Sequence, residues 1–296
     1  MNKKTIRDID LAKKKVLVRV DYNVSLLDGI RVGDDTRIRQ TLPTLEYLIG
    51  KGCKLFLMSH LGRPKGEWMK EFSLKPVVEH LSKVLGKEVS LFEERVGSSE
   101  LMKRVNQTKE ASVNVLENIR YYQGEETNEN EFAKKLASVA EVYVNDAFGV
   151  DHRAHASTVG VSKYLPAVAG FLLEKEADII GKAIEKPKKP MVAIIGGAKA
   201  ETKITLIDRL LEKADTLIVG GGVANTFLKA FGYEVGNSLV DDEMVELAKK
   251  LFWKASRSQT RMLLPTDVVL GDIEKNIHSG VVLSEKMPKG MQALDI

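Results

Sequence analysis

Short apolar runs alternate with helical patterns along this chain, and no other feature restricts the possible fold as much. The apolar runs over 15–21, 54–60, 112–118 and 141–147 each stop at a polar or glycine-rich turn. Strands that are separated by helices form parallel sheets with right-handed crossovers. The sequence therefore predicts an α/β fold.

The segment 170–187 predicts a helix between two domains. Leu173, Ile180 and Ile184 recur at helical spacing, and the Pro- and Lys-rich run EKPKKP that follows is typical of a domain boundary. The α/β pattern then restarts, with helices predicted over 202–213, 222–231 and 241–254. We predict two Rossmann-like three-layer domains with parallel sheets, over 1–169 and 188–296. The second is expected to be incomplete, because an α/β sheet would continue beyond QALDI.

Composition narrows the class of ligand and the compartment. The chain has 296 residues, 44% of them hydrophobic, which is enough for two domains. A formal charge of +4 is too mild to indicate nucleic acid and fits anionic metabolites better. The single cysteine, Cys53, cannot form an internal disulfide. With no signal-peptide pattern and no apolar run of membrane-spanning length, the sequence predicts a cytoplasmic protein without a membrane partner.

Basic and polar residues follow each predicted strand of the first domain. Ligands of open parallel sheets bind outside the carboxyl ends of the strands, and the arginine fork binds carboxylate and phosphate oxygens bidentately. A single arginine after a strand is more often a solvated surface residue, but chance would not restrict such residues to one rim. The sequence therefore predicts an anion site at this rim. The residues that follow the four strands are Asp21 and Asn23, then His60 and Arg63, then Asn118 and Arg120, and last Asp146 with the loop that carries Arg153. His152 and His155 are open to two interpretations, as ligands or as hydrogen-bond partners of their own loop.

A second anion site is predicted in the second domain, at the string GGAKAETKI. Gly196 and Gly197 allow close approach of a nucleotide, and the next helix start offers N–H groups to phosphate. Lys199 and Lys203 share a helix face if the helix begins by Lys199. An exposed lysine pair is the alternative, which the GGG at 220–222 makes less favourable. The string is not a Walker A loop.

The motifs DYNVS, SHLGRP, LENIR, DHRAH, GGAKAETKI and VGGGVANTFLK, taken in order, closely resemble the phosphoglycerate kinase family. The resemblance runs along the whole chain. It implies reversible phosphoryl transfer from 1,3-bisphosphoglycerate to MgADP, with catalysis by Arg37 and Lys199. It also implies that Asp21 and Asn23 hold the hydroxyl and carboxylate end of 3-phosphoglycerate, that Arg37 and His60 face its reacting carboxylate, and that Arg63, Arg120 and Arg153 clamp its phosphate.

On the nucleotide side, the resemblance implies that Lys203 binds the phosphates. It also implies that the adenosine pocket is bordered by Gly197, Ala198, Gly221, Gly222 and Leu294. The metal ligand and a further glycine-rich loop of the family are expected beyond residue 296. Ala293 stands where the family usually has glycine, and Asp151 adds a carboxylate that could compete with the substrate phosphate near Arg153.

The chemistry implied needs no general base, because a carboxylate is already ionised at neutral pH. Positioning and charge stabilisation remain as the catalytic contributions, and the domains must close because the two ligands bind to different domains. Two alternatives stay open. One is a truncated, weakly active or inactive chain that only binds 3-phosphoglycerate, and the other is a nucleotide-dependent α/β protein with another acidic substrate. We expect the full-length form to be a monomer.

Overall fold

The computed structural model describes residues 3–272 and 277–295. The chain divides into two compact units, Met1–Ile180 and Gly181–Ile296, which we call unit 1 and unit 2. Within the described residues, no helix is both long enough and apolar enough to span a bilayer.

Unit 1 is built on a parallel sheet with the strand order β5-β6-β4-β1-β7-β8. A short antiparallel pair, β2 with β3, lies outside it. The strands are β1 (Lys15–Val20), β2 (Leu26–Leu27), β3 (Arg31–Val32), β4 (Lys54–Met58), β5 (Val89–Phe92), β6 (Val113–Leu116), β7 (Val142–Asp146) and β8 (Ala167–Ala169). The helices are α1 (Thr36–Gly50), α2 (Lys75–Leu85), α3 (Ser99–Gln107), α4 (Gln123–Glu126) and α5 (Asn130–Ala137).

Both faces of the unit 1 sheet are covered, which explains why its strands are apolar without alternation. Successive strand residues point to opposite faces. Val16 and Val18 of β1 belong to one core cluster, together with residues of α1 and α2. Leu17 belongs to the other, with residues of α3 and α5. Unit 1 is therefore a three-layer α/β structure, and the carboxyl ends of its strands share one edge.

Unit 2 contains a parallel sheet of order β11-β10-β9 and an antiparallel sheet of order β13-β12-β14. Its strands are β9 (Val192–Ile195), β10 (Thr216–Val219), β11 (Arg261–Leu263), β12 (Asp267–Asp272), β13 (Ile277–Leu283) and β14 (Gln292–Asp295). Its helices are α7 (Glu201–Leu210), α8 (Gly221–Ala230) and α9 (Val245–Ser256). The predicted α/β class with parallel sheets is confirmed, and β12 to β14 add an antiparallel sheet that the sequence analysis did not predict. These strands bury Val268 and Leu270 in a small core of their own.

Helix α6 (Phe171–Glu185) lies where the sequence predicts a helix over 170–187. The division between the two units falls within it, after Ile180. The predicted domain limits at 169 and 188 stay predictions.

Candidate functional site

A cavity of about 210 Å³ lies at the carboxyl edge of the unit 1 sheet. The structure brings to it all seven residues that the family resemblance assigns to 3-phosphoglycerate. Asn118 and Asp146, which also follow strands of this sheet, do not line it. Four guanidinium groups and one carboxylate line it, so its charge favours an anion. The lining residues are Asp21, Asn23, Arg37, His60, Gly62, Arg63, Arg120, Gly149, Val150 and Arg153.

Arg37 and Asp21 form an ion pair at the cavity. Arg37 Nη1 donates to Asp21 Oδ2 at 2.6 Å, with the arginine side chain 52% exposed and the aspartate 14% exposed. Asp21 follows β1 directly, and Arg37 lies in the first turn of α1. A Cβ at Gly149 would come within 2.9 Å of Asp21 Oδ2. Glycine at that position therefore leaves the room that the carboxylate occupies.

Asn23 holds the loop that follows β4. Its Oδ1 accepts a hydrogen bond from the amide of Gly62 at 2.9 Å. Gly62 has φ +62°, and a Cβ there would overlap the ring of Phe72 at 2.3 Å. The loop thus requires glycine, both for the left-handed backbone conformation and for the close approach of Phe72.

Arg120 is a rigid member of the cavity wall. Its side chain is 5% exposed, and Nη1 donates to the carbonyl of Gly62 at 2.8 Å while Nε lies 3.3 Å from Glu126 Oε1. Burial lowers the pKa of Arg120 from its usual value. A guanidinium has five N–H donors, so donors remain for a ligand. The buried amide of Asn118 braces the backbone here, since its Oδ1 accepts from the Arg120 amide at 3.1 Å.

His60 follows β4 and is neutral. Burial, reinforced by the charges of nearby arginines, lowers the pKa of His60 to about 2. Its Nδ1 lies 3.9 Å from Asp21 Oδ1, but a neutral ring forms no salt bridge with that carboxylate. The closer neighbour is Arg19, whose Nη2 is 3.2 Å from His60 Nδ1.

Arg19 is a residue that sequence reasoning missed. It is 1% exposed and lies on β1, inside the string KVLVRVD. The available signal was a charged residue within an otherwise apolar strand, because buried arginines need partners. Strand alternation places Arg19 on the same face of the sheet as Leu17.

The loop after β7 contributes Arg153 to the cavity, whereas its two histidines do not line it. Arg153 Nε donates to His152 Nε2 at 3.1 Å. His155 Nδ1 lies 3.6 Å from Glu125 Oε1, and the His155 amide donates to Thr158 Oγ1 at 3.1 Å. These contacts support the interpretation of His152 as a hydrogen-bond partner within the loop. The ring of His155 instead faces Glu125 of α4.

Two aspartates near the end of β7 turn away from the cavity. Asp151 Oδ1 accepts from Asn145 Nδ2 at 2.7 Å, so its carboxylate is held by Asn145 rather than by Arg153. Asp146 caps the start of α6, with Oδ1 accepting from the amides of Leu172 at 2.9 Å and Leu173 at 3.3 Å. Burial raises the pKa of Asp146 to about 6, and within the described part of the chain its Oδ2 is buried without a hydrogen-bond partner.

In unit 2, the two glycine-rich strings pack directly against each other. Gly197 O accepts from the amide of Val223 at 3.1 Å, which caps the start of α8. A Cβ at Gly222 would come within 2.6 Å of Ala198 O. Gly221 has φ +61°, a left-handed conformation that favours glycine. The structure therefore brings Gly197, Ala198, Gly221 and Gly222 together at one helix start.

The two lysines lie at different positions relative to α7. The helix begins at Glu201 and not by Lys199, so the condition under which the lysines share a helix face is not met. Lys199 lies in the preceding turn, where its carbonyl accepts from Thr202 Oγ1 at 3.2 Å. Lys203 Cε lies 3.6 Å from the position that a Cβ of Gly197 would occupy.

The start of α7 is also less open than the sequence predicts. The amide of Glu201 donates to Asp241 Oδ2 at 3.0 Å. A carboxylate from a distant loop therefore already occupies the first donor of this helix, in the place where a phosphate was expected.

Leu294 lies on β14, in the antiparallel sheet. The neighbouring Ala293 amide donates to Ser238 Oγ at 2.9 Å, which attaches β14 to the loop after α8. The assignment of Leu294 to an adenosine pocket stays a prediction. An apolar cavity of about 570 Å³ elsewhere in unit 2 is lined by other residues, among them Phe231, Phe252 and Met262.

Unit 1 thus presents an arginine-lined anion site, and unit 2 presents a glycine-rich helix start flanked by lysines. These features define a class of α/β proteins that bind phosphorylated, acidic small molecules. Among residues 3–272 and 277–295, no group of three or more His, Cys, Asp or Glu side chains is arranged to hold a metal ion.

Comparison with known proteins gives the family. The family model for phosphoglycerate kinase matches residues 6–296. A phosphoglycerate kinase from Moorella thermoacetica is 51% identical over 297 residues, which span 100% of this chain and 75% of that protein.

Solved structures of phosphoglycerate kinases also resemble this chain. The phosphoglycerate kinase of Coxiella burnetii matches with a TM-score of 0.78 at 38% identity, covering 99% of this chain and 74% of that chain. The phosphoglycerate kinase of Pyrococcus horikoshii matches with a TM-score of 0.78 at 27% identity. The match covers 97% of this chain and 72% of that chain. The chain belongs to the phosphoglycerate kinase family, whose members are kinases that use a magnesium-bound nucleotide.

Proposed function

We propose that this chain reversibly transfers a phosphoryl group from 1,3-bisphosphoglycerate to MgADP, giving 3-phosphoglycerate and ATP. The observation that carries the proposal is the convergence of Arg37, Arg63, Arg120 and Arg153 on one small cavity of unit 1. Family membership supports it independently.

The cavity suggests how 3-phosphoglycerate is oriented. Arg63, Arg120 and Arg153 bind its phosphate, because guanidinium groups match phosphate oxygens bidentately. Arg120 is already fixed by Gly62 and Glu126, so it loses little side-chain entropy on binding. Asp21 and Asn23 contact the hydroxyl and carboxylate end.

Arg37 and His60 then face the reacting carboxylate. In the direction of ATP use, a carboxylate oxygen of 3-phosphoglycerate attacks the γ-phosphorus, and the bond between that phosphorus and the bridging oxygen of ADP breaks. The attacking oxygen needs no base because the carboxylate is already ionised. Charge spreads over the equatorial phosphoryl oxygens, where Arg37 and Lys199 stabilise it.

On the nucleotide side, we assign the phosphates to Lys203 and the adenosine to the surface around Gly197, Ala198, Gly221 and Gly222, with Leu294 as a further contact. The packing of the two glycine strings supports this assignment, because it holds all four residues together at the start of α8. The magnesium ion binds together with the nucleotide phosphates and offsets their charge.

Calorimetry with 3-phosphoglycerate and with MgADP, together with a coupled ATP-forming assay on the purified chain, tests the proposal. We expect binding of both ligands and turnover that Lys199→Ala strongly reduces. Lys249→Ala, on the distant helix α9, is the matched control. Absence of 3-phosphoglycerate binding would refute the assignment of the unit 1 cavity.

A second candidate is a module that binds 3-phosphoglycerate without catalysis. It is favoured by one observation, namely that all seven residues assigned to this ligand come from unit 1. Binding of 3-phosphoglycerate with no detectable turnover in the same assays would support this candidate over the first.

A further inference from the structure

A buried chain of hydrogen bonds lies behind the unit 1 cavity, centred on Arg19. Arg19 Nε donates to Ser157 Oγ at 2.9 Å, Nη1 donates to the carbonyl of Val20, and Nη2 lies 3.2 Å from His60 Nδ1. Arg19 itself does not line the cavity, whereas His60 does. Any effect of Arg19 on a ligand must therefore pass through His60.

At the far end of this series of hydrogen bonds, the carboxylate of Glu125 offsets the buried charge of Arg19. Ser157 Oγ accepts from Arg19 and donates to Glu125 Oε1 at 2.6 Å, while Glu125 Oε2 accepts from the Ser157 amide at 3.0 Å. Glu125 is fully buried. The hydroxyl of Tyr143 donates to the Ser157 carbonyl at 2.9 Å and holds this segment in place. A buried arginine with satisfied partners has little freedom to move.

The contact between Arg19 and His60 determines which ring nitrogen carries the proton. A guanidinium group has only donors, so His60 Nδ1 must accept the hydrogen bond from Nη2. In a neutral imidazole with an accepting Nδ1, the proton is on Nε2. The Nε2–H group is then the hydrogen-bond donor of a ring that lines the cavity.

We propose that Arg19 is a positioning residue that fixes His60 as the Nε2–H tautomer, so that the ring offers a neutral hydrogen-bond donor to a carboxylate oxygen in the cavity. The ligand part of this inference rests on the function proposed above. The opposite tautomer would turn a lone pair toward the carboxylate and replace attraction with repulsion.

Nitrogen-15 NMR of histidine-labelled protein tests the tautomer directly. We expect the two ring nitrogens of His60 in the wild-type protein to show the pattern of a protonated Nε2 and an accepting Nδ1. Arg19→Lys keeps a donor and should keep this pattern, whereas Arg19→Met removes the donor and should yield a mixture of tautomers. A protonated Nδ1 in the wild-type protein would overturn the proposal.

Arg19→Met removes the buried positive charge that offsets Glu125 through Ser157, so this variant alone can fail to fold. The double variant Arg19→Met with Glu125→Gln removes both buried charges and provides the same test. Exposed Arg31, which pairs with Asp28 at 2.8 Å, supplies the control variant Arg31→Ala.

Two ligands separate positioning from a general loss of structure. For the double variant we expect the affinity for 3-phosphoglycerate to fall roughly tenfold or more, the scale of a lost hydrogen bond to a charged group. The affinity for glycerol 3-phosphate, which has the same phosphate but no carboxylate, should stay within about twofold of the wild-type value, since no such hydrogen bond is lost.

An equal loss of affinity for both ligands would overturn the positioning role of Arg19. Failure of the wild-type protein to bind 3-phosphoglycerate would instead refute the proposed function, while the NMR result would still decide the tautomer.

Discussion

Asp21 and Arg37 are joined by a hydrogen bond of 2.6 Å at the mouth of the unit 1 cavity. The aspartate is mostly buried, whereas the arginine is half exposed. A ligand carboxylate that reaches this guanidinium would therefore compete with Asp21 for it or share it.

Arg37→Ala should lower kcat by about 100-fold or more and should weaken 3-phosphoglycerate affinity far less, because a group that stabilises developing charge acts mainly in the transition state. Steady-state kinetics and calorimetry on the same preparations measure both quantities. The control is Arg39→Ala, two residues along α1, whose side chain pairs with Asp35 instead. Equal losses in kcat and affinity would contradict the assigned role.

Arg63→Ala should weaken 3-phosphoglycerate binding by about 1.5–3 kcal/mol, the value of a charge-assisted hydrogen bond. Arg120→Ala should cause a similar loss and should also lower the free energy of unfolding, because Arg120 anchors the Gly62 carbonyl. Calorimetry and urea denaturation separate the two effects. If Arg63→Ala leaves affinity unchanged, the residue is not part of the phosphate clamp.

Lys199→Ala should reduce kcat strongly with little change in the KM for nucleotide, whereas Lys203→Ala should raise that KM as well. The reason is that only Lys203 is assigned to ground-state phosphates, and its side chain already lies beside Gly197. Initial-rate measurements over a range of MgADP concentrations provide the test. Identical kinetic changes in the two variants would refute this division of roles.

Gly222→Ala should displace the turn at Gly197 and Ala198, because the added Cβ would lie 2.6 Å from Ala198 O. We expect a stability loss of about 1–3 kcal/mol, the usual cost of overpacking, together with weaker nucleotide binding. Gly181→Ala is the matched control, since its Cβ would meet no atom within 4 Å. Thermal melts and MgADP titration measure the outcome, and wild-type values for Gly222→Ala would contradict the close packing.

Asp146 should make the stability of the protein depend on pH. Its pKa is raised to about 6 in the folded state, so the stabilisation it provides is complete at low pH and is lost as pH rises from about 4 to about 6. The free energy of unfolding, wild type minus Asp146→Asn, should fall by about 2 kcal/mol between pH 4 and pH 7.

Urea denaturation of both proteins at the two pH values measures this difference. The asparagine side chain of the Asp146→Asn variant keeps an oxygen that can accept from Leu172 and Leu173, so the cap of α6 is retained. Asp28→Asn, an exposed site, serves as the control. A difference that does not change with pH would show that Asp146 does not titrate in this range.

The sequence by itself determined the α/β class and the composition of the unit 1 cavity. Parallel strands run in one direction, so polar residues that follow each strand must meet at one edge of the sheet. That rule placed Asp21, His60 and Arg120 together although about 100 residues separate the first from the last in the sequence. The periodicity of apolar residues likewise predicted α6 within a few residues of its observed ends.

Only the tertiary structure decided the partners of individual polar groups. In the sequence, Arg19 is a single charged residue within an apolar strand. It contacts His60 and Ser157 because β1, β4 and the segment after β7 pack side by side. Asp241 occupies the start of α7 from 40 residues away. The antiparallel pairing of β12 to β14 also escaped prediction. Hydrogen bonds between residues distant in sequence depend on packing geometry at the scale of an ångström, which local patterns of residue type do not encode.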